Sequence, residues 1–152
     1  MTSNHVAGAG ALLFSLLVLA PVARAATPEQ AQAMAERAAA HIKAVGEDQA
    51  FADFTRPDGG FIDGELYVFC YDHDGINKAH GGNPKLVGMN LLRVKDPDGK
   101  EPNAMIVETG FSIGQGWVDF KWPNPVSKRM ERKSAYVIRT NDVVCGVGYY
   151  KG

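Results

Sequence analysis

No stretch of this chain spells a catalytic motif, so its chemistry must be sought in scattered polar groups among aromatic ones. There is no GxSxG elbow, HExxH helix, P-loop or Cys/His nucleophile pair. Gly114-Gln115-Gly116 resembles a fragment of a nucleotide loop, but it lacks a third glycine and follows no strand, and it reads as a flexible lead-in to a strand. Asp72-x-Asp74-Gly75 has the opening of a calcium loop without the third acidic position or the closing glutamate, so a tight turn is the better reading. No metal site or cofactor is expected. His80 stands in Ala79-His80-Gly81-Gly82-Asn83-Pro84. Glycines there let the backbone approach a ligand, and the imidazole can donate to an anion; it can equally cap the loop by bonding a backbone carbonyl. A hydrolytic enzyme would pair His80 with Asp72 or Asp74, which requires all three to converge on a cleft.

Tyr67, Phe69, Tyr71, Trp117, Phe120 and Trp122 form an aromatic set that suits either a core or a pocket wall. With Lys133, Tyr136 and Arg139 nearby, such rings would make an apolar pocket with a few polar groups. Strand alternation, however, puts Lys133 and Arg139 on one face and Tyr136 on the other. Lys133 and Arg139 also read well as solvated strand residues. Cys70 and Cys145 fall in strand-like stretches. An oxidising compartment permits a disulfide between them, yet opposed strand residues seldom meet its geometry, and two small buried hydrophobes are the other reading.

The elements that must position these groups follow from periodicity. Thr27-Pro28-Glu29-Gln30 is a capping box with proline in the first turn, and Ala31, Met34, Ala35, Ala38, Ile42 and Val45 recur on one helical face before Gly46. A second short helix carries Phe51 and Phe54. Glu65 to Tyr71 is apolar on both faces, with Tyr67, Phe69 and Tyr71 on one and Leu66, Val68 and Cys70 on the other, so it reads as a covered central strand. Asp72 to Gly75 turns into a return strand, Ile76 to His80. Pro84 to Met89 forms a helical turn, 102–113 a short helix, and 117–122, 134–140 and 143–149 three further strands. That order predicts an α+β domain: an antiparallel sheet with helices on one side.

The 152 residues suffice for one domain, and 45% hydrophobic with 22% charged residues describes a globular chain. The formal charge of −1 gives no electrostatic case for nucleic acid. Ala7 to Ala20 is nearly all apolar, and Pro21 with Ala23-Arg24-Ala25 follows as a small-x-small cleavage signature. The run is short of the roughly 20 residues a spanning helix needs. Residues 1–25 are therefore expected to be a signal peptide and 26–152 one domain, with no membrane span after cleavage; an uncleaved anchor is the rival. The product is expected in the periplasm or outside the cell.

The runs ELYVFCYDHDGINKAHGGNPKLVGMNL, DPDGK, GQGWVDFKWPNP and KSAYVIR, in this order behind a long N-terminal helix, resemble the single Cache domain, type 2. The resemblance covers about residues 28–150. It implies a PAS-like central antiparallel sheet of about five strands, with a long N-terminal helix and short crossover helices. It also implies a small-ligand pocket between the sheet and the crossover segments. Tyr71, His80, Trp117, Trp122, Lys133 and Tyr136 are the matching pocket positions, and Lys133 or His80 would meet the carboxylate of a small organic acid. Phe120 stands where the family often has tyrosine. Such domains commonly sit between membrane helices and report to a chemoreceptor or kinase. This chain stops at Gly152, so the expectation is a freestanding, non-enzymatic binding protein that hands its occupancy to a membrane receptor. The alternative is a protein-interaction module whose pocket is filled by its own side chains. The sensor reading requires a hollow behind the aromatic layer able to hold a metabolite, with cationic or imidazole groups at its rim; a space plugged by the protein's own rings would remove its physical basis.

Overall fold

The structure is a computed structural model that describes Thr2 and residues 24–152; the signal peptide expected over residues 1–25 lies almost wholly outside them. Helix α1 (Pro28–Val45) starts at the expected capping box: the Gln30 amide donates to Thr27 Oγ1 at 3.3 Å and the Thr27 amide to Gln30 Oε1 at 3.0 Å. It buries Ala31, Met34, Ala35, Ala38 and Ile42 on one face, and Gly46, at φ +86°, ends it. Helix α2 (Glu47–Thr55) buries Ala50 and Phe54. Asp53, which accepts from His41 of α1 at 2.8 Å and from Arg56 at 2.9 Å, ties the two helices together.

Six strands follow: β1 (Ile62–Asp63), β2 (Leu66–Asp72), β3 (Asn77–His80), β4 (Gln115–Pro123), β5 (Met130–Thr140) and β6 (Val143–Lys151). All pairings are antiparallel, in the order β3-β2-β6-β5-β4, with two-residue β1 beside the start of β2. The sheet thus has the expected five strands plus β1, which is too short to leave a periodicity. The faces of β2 divide as alternation requires. Leu66, Val68 and Cys70 pack with α1 and α2, while Tyr67, Phe69 and Tyr71 join the core on the opposite face.

Helices cover both faces rather than one. Helix α3 (Pro102–Glu108) packs Ile106 and Val107 against the face that carries Tyr67 and Phe69. The topology demands this: β3 and β4 lie at opposite edges, so their connection must run across a face, and α1 already occupies the other. The helix expected over 102–113 is α-helical only to Glu108 and continues as a π turn, Thr109–Ile113, closed by the Gly114 amide on the Thr109 carbonyl. Cys70 and Cys145 are direct partners across β2 and β6 and are joined by a disulfide at a Cα–Cα distance of 4.1 Å. The close spacing belongs to a non-hydrogen-bonded antiparallel pair, typically about 4.5 Å apart.

Candidate functional site

The face of the sheet under α3 carries a buried lysine and a buried histidine. Lys133 points from β5 into it and is only 1% exposed. Its stem lies on Gly148 of β6, where any Cβ would collide with the lysine Cε and Cγ. Its Nζ sits over the Tyr67 ring at 3.9 Å, with Tyr150 at 4.9 Å and Phe69 at 5.3 Å. It donates at 3.5 Å to Tyr150 Oη, which also receives the Tyr67 hydroxyl at 3.3 Å and itself donates to the Pro123 carbonyl at 2.7 Å. No carboxylate lies within ion-pair distance of Nζ among the described residues. Burial without a counter-charge holds the amine well below the usual lysine range, although Glu65 pulls the other way.

His80 closes β3 beside this lysine. Its ring centroid is 5.0 Å from that of Tyr67. Nδ1 accepts the Asn83 amide at 2.9 Å, the turn-closing role anticipated for it but with the ring as acceptor. Burial, helped by Lys133, lowers its pKa to about 3, so the imidazole is neutral and its proton is on Nε2, which has no protein acceptor among the described residues. An unfolded imidazole takes a proton below about pH 6.5 and the folded one does not. Stability is therefore expected to fall as pH drops from 6.5 toward about 3. Thermal melts across that range should show a shallower decline for His80→Gln than for the parent, and equal slopes would refute the assignment.

Tyr67, Phe69, Tyr71, His80, Asn103, Ile106, Phe120, Trp122 and Lys133 enclose a cavity of about 10 Å³. That holds roughly one water molecule. The rings nearly fill the space, so the expected hollow able to hold a metabolite is not open here, and a metabolite must displace side chains to enter. Tyr67, His80 and Trp122 also form the floor of an open groove of about 560 Å³, walled by Leu86, Pro125 and Met130 among others. These three side chains are the partition between the two spaces. Gly82, two residues past His80, packs against the Tyr67 ring, where a Cβ would stand 2.6 Å from Cζ, so this glycine makes room for a protein ring.

Of the six anticipated pocket residues, Tyr71, His80, Trp122 and Lys133 meet at this cavity. Trp117 and Tyr136 do not. Their rings meet at a tilt, with centroids 5.1 Å apart, on the α1 side of the sheet, and Trp117 is 42% exposed. The acid–base pairing of His80 with Asp72 or Asp74 is not assembled. Asp72 Oδ1 accepts the Asp74 and Ile76 amides in its own turn, Asp74 is exposed, and both line a different groove with His73 and Arg139. Arg139 shares the Lys133 face but stacks on Phe111 at the far end.

An antiparallel sheet between a long helix and a crossover, with a small polar-tipped cavity under the crossover, is a PAS-like α+β architecture. The chain matches the family described as single Cache domain 2 over residues 25–151, and it belongs to that family. It is 33% identical over 86 residues to the sensor histidine kinase MctS of Rhizobium johnstonii, covering 55% of this chain and 18% of the kinase. A methyl-accepting chemotaxis protein from Vibrio parahaemolyticus superposes with a TM-score of 0.70 at 24% identity, over 80% of this chain and 86% of that one. A periplasmic sensor domain of a chemotaxis protein gives 0.62 at 27% identity, over 82% and 90%. A Cache chemosensory domain described for carboxylic acid recognition gives 0.69 at 24%, over 82% and 92%. Among the described residues no helix is long and apolar enough to cross a membrane.

Proposed function

We propose that residues 26–152 form an exported, non-enzymatic sensor domain that binds a small organic acid in the periplasm or outside the cell, after loss of residues 1–25, and passes occupancy to a membrane receptor. One observation carries this reading: a fully buried lysine with no carboxylate partner stands beside a neutral histidine with an unused N–H donor. Burying a lysine whose one hydrogen-bond partner is the neutral Tyr150 hydroxyl costs free energy that an arriving carboxylate offsets, and the same carboxylate can accept from the histidine N–H. The proposed ligand falls in the same class as the carboxylic acids recognised by the Cache chemosensory domain that shares this fold.

A thermal-shift screen against carboxylates and amino acids of two to six carbons tests it. An acid present at about 100 times its dissociation constant stabilises by roughly 2.7 kcal/mol, which raises Tm by several degrees. The near-closed cavity and the exposed Trp117 support the second reading, a protein-docking module. A flat response across the library would leave that one standing.

A further inference from the structure

A carboxylate that reaches Lys133 meets a group whose charge depends on its arrival. Among the groups that line the inner cavity with Lys133, none carries a full charge near neutrality. From β2 come Tyr67 and Tyr71, and from β6 Tyr150; burial raises all three phenols, so they stay neutral. From β3 comes His80, neutral as described. Strand β4 presents Phe120 and Trp122 to the cavity, and α3 presents Asn103 and Ile106, none of which titrates. On its outer side Lys133 also borders a groove with Asp98, Lys100, Asp119, Lys121, Arg132 and Lys151, where Asp98 pairs with Lys121 at 2.8 Å and Asp119 with Lys151 at 3.1 Å. The acid that acts on Lys133 at a distance is Glu65, whose two oxygens already accept from the Ala26 amide and from Asn124 Nδ2. Glu131, which acts on Tyr150, is held by Ser127 and Asn124.

The three rings around Nζ ease the burial of an ammonium but cannot replace a counter-ion. Desolvation therefore favours the free amine in the empty site, and a bound carboxylate reverses that preference. We propose that the inner site takes up its carboxylate together with one proton, held by Lys133 only while the anion is present, so that the domain reads acid concentration and pH as one signal. The inference rests on the sensor reading above. The step balances as carboxylate plus proton plus lysine amine giving a carboxylate–ammonium pair, with the proton drawn from solvent. Affinity falls as pH rises, by about tenfold per unit between the two lysine pKa values.

Isothermal titration of the full domain with each straight-chain monocarboxylate of two to six carbons, in phosphate and in Tris between about pH 6 and 9, tests it. The heats should differ between buffers in proportion to their ionisation enthalpies, with a slope approaching one proton taken up per site, and affinity should decline with pH. Lys133→Arg, whose guanidinium stays protonated, should remove the buffer dependence if it folds and binds. Binding by the parent domain with buffer-independent heat at every pH would overturn the proposal, whatever the arginine variant does. No binding of any carboxylate would overturn the sensor reading, and this one with it.

Discussion

Replacing Lys133 with methionine is expected to abolish the carboxylate-induced rise in Tm while leaving the unliganded domain at least as stable as the parent. The two halves of that result share a cause. In the empty domain Lys133 is buried against Tyr67 and Gly148 with no ion-pair partner, so its polar end costs free energy that its stem only offsets. Methionine has similar length and flexibility and fills the same channel without the amine. With a carboxylate present the balance inverts, because removing one partner of a desolvated charge pair typically costs about 2–5 kcal/mol. The dissociation constant should then rise at least about 30-fold. Arg139→Met on the same strand face is the control, since Arg139 packs on Phe111 away from the cavity and its loss should leave the shift intact. A full ligand shift in the Lys133→Met domain would remove the lysine from the site.

The opposite faces of β2, the capping box of α1 and the hairpin of β5 and β6 were legible because each depends on near neighbours in the chain. The parity of Tyr136 against Lys133 could also be read. Trp117 and Trp122 are five residues apart on one strand, so alternation alone puts them on opposite faces; residue type suggested a pair that the pleat forbids. Tyr67 and Phe69 were recoverable as cavity residues from their two-residue steps to Tyr71. Tyr150 was not, since its position beside Lys133 depends on the register of β5 against β6. Asn103 and Ile106 arrive on the crossover, whose path is a long-range outcome of the strand order. The burial of Lys133 was hidden for a similar reason. A lysine in an alternating strand looks solvated, and the signal that it is not lies on another strand, in the absence of a side chain at Gly148. The near-filling of the hollow was likewise beyond reach, because it is set by how rings from three strands interlock.

Breaking the Cys70–Cys145 bond should have the largest effect on stability. The cysteines are 75 residues apart, and closing a loop of that size removes unfolded-chain entropy worth about 4–5 kcal/mol. A domain of this size typically has about 5–15 kcal/mol in all. The Cys70→Ala, Cys145→Ala domain is therefore expected to unfold at markedly lower denaturant, with a change in the midpoint that reductant reproduces in the parent. Two further consequences follow from where the bond sits. It clamps β2 to β6, the strands that bring Tyr67, Phe69 and Tyr150 around Lys133, so the variant should also bind its carboxylate more weakly even where it remains folded. And a domain that leans this heavily on a disulfide matches an oxidising compartment, which is where the proposed loss of residues 1–25 would deliver it. A loss below about 1 kcal/mol in urea melts would mean that the reduced chain is already compact before folding, and the bond would then count for geometry at the site rather than for stability.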